Sequence, residues 1–191
     1  MPNHTELYQV AEQQAGYFTA VQARQAGFSR SLISYHVGTG RFERQKPRVY
    51  RLVRYPASPL EDLFVAWLHA GPDAVISHDS ALALYDLSDL LPDQIHVTVP
   101  RTASRRRRGI RLHTKRLDQT DVTRYEGLPV TTVLRTLTDV AAAGLADEQV
   151  RQAISEALRR GMVSREGLLQ LGVSRGGRIK RLVDEALREG R

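Results

Sequence analysis

The chain has 191 residues, a formal net charge of +7, 41% hydrophobic and 26% charged residues, and no cysteine. This length and mix fit one or two globular domains with a real core and exclude a disordered polyelectrolyte; the missing cysteine excludes disulfides and thiolate metal sites. No stretch approaches the roughly 20 apolar residues that span a bilayer, and Met1-Pro2-Asn3-His4-Thr5-Glu6 lacks the basic flank and apolar run of a signal peptide, so the expected location is the cytoplasm.

In chain order, the first strong signal is Thr19 followed three residues later by Gln22, a capping-box spacing that predicts a short helix over 20–26. Gly27 is placed to close that helix in the left-handed conformation, and Ser29 to cap a second helix over 30–37. Two helices joined by about three residues have helix-turn-helix spacing. On the second helix, Leu32, Ile33, His36 and Val37 share one face, which leaves Arg30, Ser31, Ser34 and Tyr35 on the other. Gly38 and Gly40 end it, and residues 41–45 and 48–52 then predict two short strands around Lys46-Pro47. This hairpin is the wing of a winged helix-turn-helix and carries Arg41, Arg44, Lys46, Arg48 and Arg51.

Charge supports reading this segment as a DNA contact. Residues 1–56 hold eight Arg or Lys against three acids, whereas residues 57–100 hold seven acids and no Arg or Lys. Residues 101–116 then hold eight basic residues and no acid, including Arg101, Arg105, Arg106, Arg107, Arg108 and Arg111. Like charge concentrated on a helix pair and a hairpin is what phosphate neutralisation requires. The second basic zone fits three roles: a second phosphate contact, a surface for a protein partner, or a solvated loop.

Two prolines in Pro56-Ala57-Ser58-Pro59 coincide with the change of charge sign and mark the expected boundary, with domains at 1–56 and 57–191. Ser58 with Glu61 has the spacing of a second capping box, ahead of a helix with Leu60, Leu63, Phe64, Trp67 and Leu68 as its apolar stripe. A short helix is predicted over 79–87, with Ser77 or Asp79 as its cap. The alternation in Ile95-His96-Val97-Thr98-Val99 predicts a strand with an exposed polar face, able to pair with Ile110-Arg111-Leu112-His113, and a third extended piece lies near Leu128-Pro129-Val130. Apolar stripes on Val133/Leu137/Val140, Val150/Ile154/Ala157 and Ile179/Leu182/Val183 predict helices to the end of the chain. The fold class is α+β, with an N-terminal winged helix-turn-helix and a mixed C-terminal domain of a small sheet and a helical C-terminus.

Catalytic constellations do not assemble. The six histidines have no HExxH-type spacing, His78-Asp79-Ser80 lacks a nucleophile elbow, and His113-Thr114-Lys115 does not repeat the HxTx pattern of His96-Val97-Thr98-Val99. A PD-(D/E)xK nuclease site needs an acid two residues before a lysine; Lys46, Lys115 and Lys180 are preceded there by Arg44, His113 and Arg178. No phosphate-binding GxxxxGK[ST] loop is present. The reading is a non-enzymatic chain with no metal and no cofactor.

The ordered segments Tyr17-Phe18-Thr19, Gln22-Ala23, Ala26-Gly27-Phe28-Ser29, Gly40-Arg41-Phe42, Val49-Tyr50-Arg51-Leu52, Ile76-Ser77-His78-Asp79-Ser80-Ala81, His96-Val97-Thr98-Val99-Pro100, Leu128-Pro129-Val130-Thr131-Thr132 and Arg135-Thr136-Leu137-Thr138-Asp139 resemble the AbiEi family of antitoxins and transcriptional regulators. The resemblance implies a two-domain protein whose winged helix represses its own operon at repeated operator DNA. It further implies a C-terminal domain that counters a nucleotidyltransferase-like toxin in a type IV toxin-antitoxin system. The middle segment also resembles the leader of some proteins that end in a Vsr-like nuclease domain, so a solitary regulator without a toxin, or a protein-interaction module, stands as the alternative. The expected DNA-facing residues are Arg30, Ser31, Ser34, Tyr35, Arg41, Arg44, Lys46, Arg48 and Arg51, with Arg101, Arg105 to Arg108 and Arg111 as the second zone; the partners are double-stranded DNA and the toxin, with no membrane.

Overall fold

In the computed structural model, which describes residues 1–89, 91–103 and 106–189, the chain divides into two compact units. Residues 1–74 and 124–128 form the first, and residues 75–123 and 129–191 the second.

The first unit opens with helix α1 (His4–Glu12), which sequence reasoning passed over. Asn3 caps it by accepting a hydrogen bond from the Glu6 amide at 3.1 Å, and Leu7 and Ala11, one turn apart, are buried. Strand β1 (Tyr17–Thr19) leads into α2 (Ala20–Gln25) through the expected capping box, in which Thr19 Oγ1 accepts from the Gln22 amide and Gln22 Oε1 accepts from the Thr19 amide. Gly27 then takes φ +80°, and a Cβ there would meet the Met1 carbonyl oxygen at 2.8 Å, so both backbone angle and space demand glycine. Ser29 caps α3 (Arg30–Gly38) by accepting from the Leu32 amide at 3.1 Å.

Strands β2 (Phe42–Lys46) and β3 (Val49–Leu52) form an antiparallel hairpin, and β1 pairs with β3, giving the order β1-β3-β2. Leu7, Ala11, Phe18, Ala23, Phe28, Ile33, Phe42 and Leu52 make one buried cluster. Helix α4 (Glu61–Ala70) belongs to this unit, because Phe64 stacks on Tyr17 with ring centroids 6.1 Å apart. The compact unit therefore runs past the division placed at 56 from the prolines and charge. The Ser58–Glu61 capping box does not form: Ser58 Oγ accepts from the Leu60 amide instead, closing a turn, and α4 starts without a side-chain cap. The helix begins at Glu61 with Leu60 in the cap position, which leaves Ser58 too early to cap it.

The larger sheet has the order β6-β5-β4-β8-β7, from β4 (Val75–Ile76), β5 (Ile95–Thr98), β6 (Ile110–His113), β7 (Val122–Tyr125) and β8 (Leu128–Thr131), and all of it but residues 124, 125 and 128 belongs to the second unit. The expected partners β5 and β6 pair in parallel, Thr98 opposite His113, with the Arg-rich connection as their crossover. Helix α5 (His78–Leu84) follows β4, and α6 (Val133–Ala143), α7 (Asp147–Arg159), α8 (Arg165–Arg175) and α9 (Gly177–Glu189) complete the unit. The buried stripe on α9, with Ile179, Leu182, Val183, Ala186 and Leu187, lies where the 3.6-residue period put it. Arg178 on α9 donates to the carbonyls of Ala141 and Leu145 and to Asp147, a cation satisfying the exposed acceptors at the end of α6.

Candidate nucleic-acid interface

Helix α3 presents two chemically distinct faces. Ile33 and His36 are buried, whereas Arg30, Ser31, Ser34 and Tyr35 are exposed, Tyr35 by 60%. His36 packs among Phe28, Phe42, His4 and Tyr35, and its pKa is lowered by burial and by the neighbouring Arg41 and His4 charges. The core-side position expected from its spacing with Leu32 is the position it occupies. Ser31 Oγ lies 2.9 Å from the Oγ of the capping Ser29, so its hydroxyl is shared with the helix start.

The β2–β3 hairpin carries Arg41 before its first strand, Arg44 and Lys46 on it and Arg48 in its turn, all exposed. Pro47 and Arg48 form the turn, and Arg48 holds φ +69°, the left-handed angle that the second central residue of such a turn adopts. The Arg48 carbonyl accepts from the Ala20 amide at 2.9 Å, which ties the hairpin tip to the start of α2. Arg51 is the exception. Its side chain turns inward, donates to the Tyr55 carbonyl at 2.8 Å and lies 3.7 Å from Glu43, so it braces the hairpin and leaves the set of outward cations.

The second zone is placed in the second unit. Arg101 sits in a short 3-10 turn (Arg101–Ala103), Arg107 donates to the Ala103 carbonyl, and Arg106, Arg108 and Arg111 are exposed; Arg105 lies outside the described residues.

Beside that zone, the structure corrects the expectation of an exposed polar face on β5. His96 and Thr98 are buried, because β5 lies between β4 and β6 and α5 packs against it. Thr98 Oγ1 donates to Ser77 Oγ, which also lies 2.9 Å from His78 Nδ1; the Ser77 hydroxyl is therefore drawn into this cluster and does not cap α5, which begins at His78. Ser80 Oγ accepts from the His96 amide, so the His78-Asp79-Ser80 run serves packing and hydrogen bonding. His78, at φ +52° and 1% exposed, stacks on His113 with centroids 3.5 Å apart and planes 11° from parallel, and His96 lies 5.1 Å from His113. Stacked rings aim their faces at each other, not their lone pairs at a common point, and no three His, Asp or Glu among the described residues are placed to hold a metal ion. The sequence signal was available: period two puts His96 and Thr98 on one face, and the parallel register brings His113 beside Thr98.

Burial, with the neighbouring His113 and Lys115 charges, pushes His78 down to about 2, and burial with His96 and Arg111 pushes His113 down to about 4. His96 is also lowered by burial, against the opposing pull of Asp79. The native state thus holds neutral rings that protonate near pH 6.5 when unfolded, and a depressed basic pKa removes stability as pH falls below that unfolded value. Thermal melting should therefore show a Tm that is flat above pH 7 and falls steadily from about pH 6.5 to 5, where carboxylates contribute little, with at least about two protons taken up per molecule unfolded, from His78 and His113, and more from the lowered His96 and His36. A Tm unchanged across that window would contradict the neutral cluster.

Arg135 anchors the neighbouring corner. Its guanidinium is 7% exposed and bonds Asp139 at 2.9 Å, Asp121, and the Arg116 carbonyl, while Thr136 and Thr131 share a buried hydroxyl contact of 2.7 Å. The Arg135-Thr136-Leu137-Thr138-Asp139 segment is thus a clamp between α6 and the chain that follows β6.

No helix among the described residues is long and apolar enough to cross a membrane. No curated protein matches the chain. A family model described as "Transcriptional regulator, AbiEi antitoxin" matches residues 6–53, the helix pair and basic hairpin included.

Proposed function

We propose that the chain is a transcriptional regulator that binds operator DNA through a winged helix, with α3 in the major groove and the β2–β3 hairpin on the flanking backbone. The observation that carries this is the outward face of α3, with Arg30, Ser34 and Tyr35, in the same compact unit as the exposed Arg41, Arg44, Lys46 and Arg48. Base-edge contacts come from Ser34 and Tyr35, and the five cations take phosphates. Its resemblance to AbiEi regulators extends the reading to repression of its own operon and to neutralisation of a nucleotidyltransferase-like toxin. Gel shift on the chain's own promoter and on unrelated duplex, across a salt series, tests the DNA reading. Five phosphate contacts give a slope of log affinity against log salt of roughly −4 to −5. Absence of binding to any duplex at low salt would instead assign the N-terminal unit to protein contacts. Ser34→Ala and Tyr35→Ala should change the ratio of promoter to unrelated-duplex affinity by about tenfold with little change in salt slope.

A further inference from the structure

The second basic zone surrounds a cleft of about 950 Å³ within the second unit, at the upper end of the range for small-molecule sites. One side carries Arg106, Arg108 and Arg111, exposed and, among the described residues, without an acidic partner. Ile110 and Leu112 supply apolar surface from β6. Opposite chemistry also lines the cleft: Asp79 of α5, about one-third exposed, His96 of β5, which is 5% exposed, and a second acid, Asp93, ahead of β5. His96 Nδ1 is buried and makes no hydrogen bond, since Asp79 Oδ2 stands 3.7 Å away, so the polar capacity on this side of the cleft is unfilled.

The combination is selective. A bare inorganic anion gains from the arginines but is repelled by the Asp79 carboxylate. A duplex backbone offers phosphates to the rim yet carries nothing slender enough to reach His96. A ligand with phosphate at one end, a flat or apolar middle, and an N–H or O–H donor at the other satisfies every group. We propose that this cleft binds a free nucleotide, with its phosphates on Arg106, Arg108 and Arg111 and a base or ribose donor directed to Asp79 and His96.

Calorimetric titration of the full chain with ATP, GTP, sodium pyrophosphate and a DNA duplex tests this. At least one nucleotide should bind about tenfold or more tightly than pyrophosphate, and Arg106→Ala with Arg108→Ala should weaken it by at least about tenfold. Asp79→Asn should weaken the nucleotide and not pyrophosphate, with thermal melts confirming that both variants fold. The proposal fails if neither nucleotide binds up to roughly 1 mM, if pyrophosphate binds as tightly, or if the arginine variant loses duplex affinity and keeps its nucleotide. That last result would assign these arginines to DNA. Nucleotide binding does not depend on the N-terminal helix and hairpin, so substitutions at Arg44 and Arg48 that abolish DNA binding should leave it intact.

Discussion

Arg44→Glu combined with Arg48→Glu should lower affinity for all duplexes by about 10²- to 10³-fold at moderate salt, and should flatten the salt dependence by roughly two units of slope. The reasoning is electrostatic. Each arginine that contacts a phosphate releases about one counterion, and each glutamate in its place adds repulsion that a mere alanine does not. The fold should survive, since both side chains are exposed, and Arg48 already occupies a left-handed turn position where glutamate incurs a similar backbone cost. Circular dichroism provides the control, and gel shift with promoter and unrelated duplex provides the measurement. Unchanged affinity for both would remove the hairpin from the DNA contact. Arg51→Glu is the informative companion: it should lower Tm, because it breaks the bond to Tyr55 and faces Glu43 with a like charge.

Arg135→Leu should cost about 3 kcal/mol of stability in the second unit, read as a fall in the urea midpoint or a drop in Tm of about 10 °C. Removing the guanidinium strands Asp139, 2% exposed, and Asp121, 18% exposed, without their principal cation. Lys115 reaches Asp139 at 3.4 Å, which keeps the loss toward the lower end of the range for a broken buried pair. Lys115→Met, by contrast, removes a half-exposed partner and should cost under about 1 kcal/mol. Pairing Arg135→Leu with Asp139→Leu should recover much of the loss, since the desolvated charge goes with its partner. A double variant no more stable than Arg135→Leu alone would show that the contact to Asp121 or the Arg116 carbonyl dominates.

Local signals were the legible part of this sequence. Thr19 with Gln22, Gly27 and Ser29 act within a few residues of themselves, so their capping and turn roles could be read directly and appear in the structure. The apolar stripes of α6, α7 and α9 were equally plain, because burial on a helix repeats with its own period. What the chain order hides is pairing at a distance. The His78–His113 stack depends on a parallel crossover that sets β6 beside β5, and Arg51 looked like a sixth outward cation until the Tyr55 carbonyl and Glu43 were brought to it. The Ser58–Glu61 spacing misled for another reason: a capping motif works only where the backbone enters helical geometry at the right residue, and here it does so only at Glu61. The second basic zone read as a patch along the chain, while the fold curls it around Asp79 and His96, an acid and an imidazole that no charge count would associate with it.

The hairpin's attachment through the Arg48 carbonyl has an evolutionary consequence. A main-chain acceptor is supplied by whichever residue stands there, so this link between the hairpin tip and α2 is insulated from the identities of the hairpin's exposed side chains. If the hairpin contacts DNA as proposed, its outward charges at Arg44 and Lys46 are free to drift under selection for tighter or looser affinity without moving α3. On the same proposal, a new target sequence would be acquired by changing the outward residues of α3 alone, so that affinity and sequence preference become separately tunable traits of one small scaffold.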